Sequence, residues 1–137
     1  MINKVILMGR LTREPELKTT PNGVSVLTFT IAADRSFVRQ GEERQADFIN
    51  CVAWRGTAEF ISRYFGKGRM IAVVGNLRTR IYDDKNGAKH YVTEVYVDEA
   101  SFTGEPKRQE AEIGQAAYAA DEYYDGYTPD LGEGVAF

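Results

Sequence analysis

The sequence is poor in the side chains from which most catalytic and metal sites are built. Among its 137 residues, Cys51 is the only cysteine and His90 is the only histidine. One cysteine excludes an internal disulfide and a zinc site made of cysteines, and one histidine excludes a multi-histidine metal site. A long apolar run is also absent, because the stretch Val5 to Met8 is too short for a signal peptide or a membrane span. These absences predict a soluble protein of a reducing cytoplasm that needs no cofactor.

Charge is distributed unevenly along the chain, although the formal net charge is only -3. Residues 1–104 contain 15 basic and 12 acidic side chains, whereas residues 105–137 contain 2 basic and 8 acidic ones. The first part therefore has a net charge of +3 and the second a net charge of -6. A mildly basic body predicts an anionic partner, and an acidic end predicts a solvated or partner-binding tail.

Most of the first hundred residues have the composition of β-strands. Five segments fit strands by their branched aliphatic content or their apolar–polar alternation, at residues 3–11, 25–33, 47–54, 70–80 and 90–97. Pro21-Asn22-Gly23 and Lys85-Asn86-Gly87 are turn signals between neighbouring segments.

The period of the apolar residues changes once, at residues 57–65. Ala58, Ile61 and Phe65 have the spacing of a short helix, and Gly66 is expected to end it in the left-handed conformation. Three strands, a helix and two strands is the order found in the oligonucleotide-binding barrel, although other small α+β folds could share it. We therefore predict a mostly β domain over residues 1–104, a five-stranded barrel with one short helix between strands 3 and 4.

The last part of the chain has a different character. Residues 105–137 are rich in Gly, Ala, Tyr and acidic side chains and have no sustained apolar period. Such a composition cannot bury enough apolar surface to fold alone, so we predict a disordered acidic tail.

Each residue that could carry catalysis has a simpler explanation. Gly66-Lys67-Gly68 lacks the spacing of a phosphate-binding loop and follows a helix instead of preceding one. His90 begins a strand without a partner in its motif, which favours a plain surface histidine. Cys51 lies among apolar neighbours, which favours packing over nucleophilic reactivity. No catalytic grouping remains, and we predict that the protein is not an enzyme.

Aromatic side chains share one face of the third predicted strand. Alternation along this strand puts Phe48 and Trp54 on one face and Ile49, Cys51 and Ala53 on the other. Large aromatic residues on strands are usually buried, but a barrel wall needs only one inward face, and the second face is apolar along its whole length. Both faces could belong to the core; if the Ile49, Cys51 and Ala53 face is the inner one, the two rings lie outside the barrel, and the binding-site prediction depends on this arrangement.

Basic and aromatic side chains also alternate on the fourth strand and in the loop before the third. Arg78, Arg80 and Tyr82 project from one face if the strand continues to residue 82, and Phe37 lies close to Arg35 in a charged loop. A ring can stack on any base, and a guanidinium group can neutralise a phosphate. The pattern predicts a surface for single-stranded nucleic acid that does not read base edges.

Five segments of the chain, in this order and at this spacing, resemble the bacterial single-stranded DNA-binding proteins of replication and repair. They are NKVILMGRLTREPELKTTPNG, VSVLTFTIA, FINCVAWRGTAEFISRYFGKG, GNLRTRIY and HYVTEVYVD. The resemblance covers residues 1 to about 102. It implies an oligonucleotide-binding barrel, a cytoplasmic homotetramer associated with the nucleoid, and sequence-independent protection of single-stranded DNA in replication, recombination and repair.

The resemblance also assigns site residues. The family's stacking aromatics correspond to Phe37, Phe48, Trp54 and Tyr82, and its Arg-Thr-Arg motif, whose arginines contact phosphates, corresponds to Arg78 and Arg80. Arg35 and Arg55 are implied as further nucleic-acid contacts. Tryptophan occupies several of these positions in familiar members, so this chain keeps the aromatic face but changes the ring.

The family's acidic tip recruits other genome-maintenance proteins, and here the matching end is DLGEGVAF. Asp130, Glu133 and Phe137 are the implied partner-binding residues, but the run of acids and the proline before the last residue are missing. A tail that only aids solubility is the alternative. For the whole chain, the alternatives are an RNA-binding barrel of the cold-shock kind and an interaction module that acts mainly through its tail.

Overall fold

The computed structural model describes residues 1–37 and 39–105, which form one barrel of strands with a single short helix. The elements, in chain order, are β1 (Val5–Leu11), β2 (Glu16–Thr19), β3 (Ser25–Asp34), β4 (Ala46–Trp54), α1 (Arg55–Tyr64), β5 (Met70–Asp83) and β6 (Lys89–Ser101). Val38 and residues 106–137 lie outside the described part, and so does almost all of the predicted tail.

The sheet closes on itself. Its strand order is β1-β5-β6-β4-β3-β2, and β1 also pairs with β3 through Arg10 with Ala32 and Leu11 with Ile31. Five strands therefore form a closed barrel, as predicted, and the helix lies between the third and fourth of them. Closure removes most of the exposed strand edges that an open sheet would leave.

The strand β2 is an addition that the sequence patterns did not indicate. All four of its residues are exposed, so it has no apolar face to produce an alternation. It exists because the turn at Pro21 to Gly23 brings it beside β3, where Leu17 lies opposite Leu27. Gly23 has a φ of +80°, and its N–H donates to the carbonyl of Thr20 to close this turn.

The core contains the inward-facing residues of the five barrel strands and one side of the helix. Its fully buried members include Leu27, Ile31, Cys51, Ile61 and Ile71. The inner face of β4 is the Ile49, Cys51 and Ala53 face that the sequence predicted, and Ile49 packs against the buried cluster. The side chains that alternate with these on β4, including Phe48 and Trp54, therefore lie on the opposite face, away from the barrel interior.

The helix α1 differs from the prediction at both ends. It begins at Arg55 instead of Thr57, and Arg55 has a φ of +54° where the chain turns sharply from β4 into the helix. The expectation of a left-handed Gly66 was wrong, because Phe65 ends the helix in an extended conformation and Gly68 has the positive φ of +81°. Within the helix, Ala58 and Ile61 are buried as their spacing predicted.

The described part ends with a residue that is still held by the barrel. The Glu105 carboxylate accepts hydrogen bonds from Arg10 at 2.6 and 3.0 Å and from the Met70 N–H at 3.3 Å. No helix among the described residues is long and apolar enough to cross a membrane.

Candidate functional site

The third barrel strand, β4, carries Phe48 and Trp54 on its outer face. Both rings are half-buried, whereas Cys51 and Ala53 on the inner face have no exposed surface. Across the sheet, Phe48 lies opposite Ala32 and Trp54 lies opposite Val26. The rings are thus fixed on the sheet surface, outside the interior, as the parity argument predicted.

Arg78 lies on the outer face of β5, next to an aromatic ring that the sequence analysis did not select. Its guanidinium carbon is 4.4 Å from the centre of the Tyr96 ring, and its Nε donates a hydrogen bond to Asn76 Oδ1 at 3.0 Å. Tyr96 is half-buried and pairs with Asn76 on one side and Val52 on the other. It therefore connects the outer face of β5 with that of β4.

Arg80 has a structural partner. Its Nε lies 2.9 Å from Oε1 of Glu94, and the side chains are 18% and 2% exposed, respectively. A carboxylate buried to this degree needs a neutralising hydrogen-bond donor, and Arg80 supplies it. Arg80 therefore helps to hold β5 and β6 together in addition to any contact with a ligand.

Two groups near Glu94 remain uncharged at neutral pH. Burial, with a smaller contribution from the Glu94 charge, raises the pKa of the Cys51 thiol far above its usual value. The same two causes, in the same order, raise the pKa of Tyr96 to about 12. Cys51 is thus a packed thiol, as predicted, and Tyr96 presents a neutral ring to the outer face.

The end of the β5–β6 hairpin carries Tyr82 and His90 as a stacked pair. Their ring centres are 5.0 Å apart and their planes differ by 15°. His90 Nε2 donates to Asp84 Oδ2 at 2.8 Å, and this bond is the largest cause that lowers the pKa of Asp84. His90 is exposed, as expected, but it has partners that the sequence did not reveal.

The loop between β3 and β4 projects Phe37 into solvent. The ring is 81% exposed, and the loop is closed at its base by the Arg35 N–H, which donates to the Gln45 carbonyl at 3.0 Å. The Arg35 side chain forms an ion pair with Asp47 at 2.9 Å, and this hydrogen bond holds the pKa of Asp47 below its usual value. Arg35 is therefore tied to the residue that precedes Phe48.

Arg55 directly follows Trp54 and is exposed. A positive φ is uncommon for a residue with a side chain, and such backbone strain concentrates at functional positions. The strained turn places a cation beside the ring at the end of β4.

The geometry gathers most of the predicted residues on one surface. Phe48 and Trp54 on β4 have the same outward parity as Arg78, Arg80 and Tyr82 on β5, across the intervening strand β6. Phe37 and Arg35 lie in the loop that precedes β4. Rings and guanidinium groups side by side are suited to stacking unpaired bases and neutralising their phosphates. The predicted partner-binding residues Asp130, Glu133 and Phe137 lie outside the described residues.

Sequence reasoning missed two members of this surface, Tyr96 and His90. Alternation along β6 gives the signal for Tyr96, because Val95 and Val97 are buried in the core and leave residue 96 on the outer face. No local signal exists for His90, whose position beside Tyr82 depends on the register of the hairpin.

Comparison with known proteins gives a consistent picture. The sequence matches the model of the Single-strand binding protein family over residues 2–103. It is 52% identical to a single-stranded DNA-binding protein of Bacillus cereus over 102 residues, which are 74% of this chain and 60% of that protein. It is 50% identical to single-stranded DNA-binding protein A of Bacillus subtilis over 107 residues, which are 78% of this chain and 62% of that protein. For a single-stranded DNA-binding protein of Halalkalibacterium halodurans the identity is 48% over 114 residues, 83% of this chain and 67% of that protein.

Proposed function

This chain belongs to the single-strand binding protein family, and we propose that it binds and protects single-stranded DNA in replication, recombination and repair, without sequence preference and without catalysis. The observation that carries the proposal is the position of Phe48 and Trp54, half-buried on the outer face of β4 and outside the core. The curated relatives named above are single-stranded DNA-binding proteins, and the aligned segments span 60% to 67% of their length.

The proposed mechanism is stacking combined with phosphate neutralisation. Each base that stacks on Phe37, Phe48, Trp54 or Tyr82 contributes about 1–3 kcal/mol, and stacking tolerates every base because each has a π-face. Arg35, Arg55, Arg78 and Arg80 supply the positive charge for the backbone. Because rings carry most of the affinity, a body with a net charge of only +3 can still bind tightly.

We also propose that the chain assembles with itself as a homotetramer. One edge of β1 pairs with β5 over residues 5–10, but pairing with β3 begins only at Arg10, so no described strand covers the other edge of residues 5–9. Ile6 and Met8, on the outer face of this segment, are 75% and 60% exposed. A second apolar surface lies on the β5–β6 hairpin, where Ile81 and Tyr91 are opposite each other and exposed. A tetramer with two kinds of two-fold interface uses two separate surfaces of each chain, and we propose that the β1 edge and the hairpin pair are these surfaces.

The tail and the cellular location complete the proposal. Residues 105–137 carry a net charge of -6, and Asp130, Glu133 and Phe137 would bind genome-maintenance proteins. The protein would act in the cytoplasm at the nucleoid.

The function is tested by titrating the full chain with poly-dT while following the fluorescence of Trp54, the only tryptophan. We expect quenching, because a base stacked on the indole ring changes its environment, and a fall in affinity with salt of about 0.7 log units per log unit of salt for each neutralised phosphate. Trp54→Ala should weaken binding by about 1–3 kcal/mol without unfolding the barrel. Unchanged emission at saturating DNA, or global unfolding of the variant, would refute the role of Trp54.

The same titration separates the alternatives. A cold-shock type RNA-binding protein would prefer an RNA strand of equal length in competition. An interaction module that works through its tail would show no DNA binding by the barrel, whereas we expect a chain without residues 106–137 to keep its affinity. Duplex competitor should not displace the single strand.

A further inference from the structure

The β5–β6 hairpin ends in a small network that links a turn to the ring of Tyr82. Asp84 Oδ1 accepts hydrogen bonds from the N–H groups of Asn86 and Ala88, at 2.8 and 2.9 Å. Its other oxygen, Oδ2, accepts the hydrogen bond from His90. One carboxylate therefore holds both the turn and the imidazole ring of His90.

The imidazole ring in turn supports the phenol ring. His90 and Tyr82 occupy directly opposite positions of the two strands and stack nearly parallel. A ring that is held in place loses less conformational freedom when a base stacks on it, so His90 preorganises Tyr82. Because one face of Tyr82 packs against His90, a base that stacks here meets the two rings as a single aromatic unit, which we call the Tyr82 platform.

We propose that His90 is a further nucleic-acid-binding residue, which extends the Tyr82 platform and adds a positive charge to it when protonated. The inference rests on the proposed function, because Tyr82 belongs to the proposed binding surface. It assigns a role to the one histidine of the chain. A protonated imidazole can neutralise a phosphate and a neutral one cannot, so measuring DNA affinity at several pH values tests the charge role.

The charges around His90 give the direction of the effect. The groups that face it are Asp84 in the turn and Tyr82 on β5, with the Arg80 guanidinium carbon 5.5 Å from the Tyr82 ring centre. Asp83 on β5 lies opposite Lys89 on β6 at the next position along the hairpin, and Lys85 lies in the turn. When His90 is neutral, the Asp84 charge opposes an approaching phosphate. When His90 is protonated, it offsets Asp84, and the platform attracts the phosphate.

The test measures the affinity of the full chain for an oligo-dT that carries a pH-insensitive fluorophore, at pH 5.5, 6.5 and 8.0. Wild-type affinity should fall about two- to fivefold as the pH rises, the size expected of one exposed charge contact. His90→Phe keeps a ring on Tyr82 but cannot be protonated, so its affinity should change less with pH than that of wild type. At pH 5.5 the salt slope of wild type should exceed that of His90→Phe by about 0.7 for the additional phosphate.

A comparison of His90→Ala with His90→Phe isolates the contribution of the ring. Neither variant carries a charge at residue 90, so His90→Ala should bind about two- to fivefold more weakly than His90→Phe because only phenylalanine keeps a ring against Tyr82. Wild type and His90→Phe with the same pH response would overturn the charge role, and His90→Ala equal to His90→Phe would overturn the platform role. Absence of oligo-dT binding by the wild type at every pH would instead refute the proposed function itself.

Discussion

Arg78 and Arg80 illustrate how two identical residues on one face of one strand acquire different tasks. Arg78 is exposed and lies over the Tyr96 ring, whereas Arg80 is mostly buried and neutralises Glu94. Removing a partner of a buried ion pair leaves an uncompensated charge, while removing an exposed cation costs the fold little. In the proposed binding mode, the Arg-Thr-Arg segment therefore combines a ligand contact by Arg78 with a structural contact by Arg80.

This difference predicts that one alanine substitution weakens DNA binding and the other lowers the stability of the fold. Arg78→Ala should weaken binding to single-stranded DNA and reduce the salt slope by about 0.7, with its unfolding midpoint in urea unchanged. Arg80→Ala should lower the free energy of unfolding by about 3–5 kcal/mol, because the buried Glu94 carboxylate loses the guanidinium group that neutralises it.

A double variant provides the control for the second outcome. Replacing both partners with apolar residues, Arg80→Met together with Glu94→Leu, should restore most of the lost stability because no buried charge remains. Equal urea midpoints for wild type and Arg80→Ala would show that the ion pair does not support the fold.

At the scale of elements, the long β5–β6 hairpin depends on a close backbone approach at Gly75. The register of the two strands shifts between Val74 and Gly75. A Cβ atom at residue 75 would lie 2.0 Å from the carbonyl oxygen of Tyr96, and backbone cannot move aside as a flexible side chain can. The absence of a side chain therefore permits the bulge, which sets the register of Arg78, Arg80 and Tyr82 on the outer face.

We expect Gly75→Ala to destabilise the barrel by more than the roughly 1–3 kcal/mol of ordinary overpacking. Gly56→Ala is the matched control, because residue 56 is in α1, has an ordinary φ and has nothing within 4 Å of an added Cβ. Alanine should stabilise that helix by about 0.5–1 kcal/mol. Urea unfolding of both variants checks the pair, and a Gly75→Ala protein as stable as wild type would contradict the proposed close contact.

At the scale of the whole molecule, two of the apolar surfaces that the described residues leave exposed are the basis of the proposed assembly. One is the open edge of β1 with Ile6 and Met8, and the other is the Ile81–Tyr91 pair on the hairpin. An open strand edge with apolar side chains beside it is a template for pairing with a second chain. The proposed tetramer covers both surfaces.

Ile6→Glu should therefore reduce the solution mass below that of a tetramer, because a charge on the β1 surface opposes burial against a second copy. Leu17→Glu on β2 is the control, since Leu17 is also exposed and apolar but lies away from both surfaces. Light scattering of the two variants at equal concentration measures the effect. A tetrameric Ile6→Glu, or a monomeric wild type, would contradict the assembly.

Local periodicity in the sequence was enough to predict the direction of many side chains. Alternation put Phe48 and Trp54 on one face of β4 and Cys51 and Ala53 on the other, since successive strand residues point to opposite sides. The helical spacing of Ala58 and Ile61 and the turn at Lys85-Asn86-Gly87 were likewise readable, and Gly87 has the positive φ of +79° that such a turn needs.

Which elements lie side by side depends on the tertiary structure and could not be predicted from local patterns. The exposed strand β2, the closure of β1 onto β3, the Arg80–Glu94 ion pair and the Tyr82–His90 stack all join residues whose contact depends on strand register. A local pattern fixes the direction of a side chain but carries no information on its neighbour across the sheet, because that neighbour is set by turn geometry, bulges and the packing of the whole barrel.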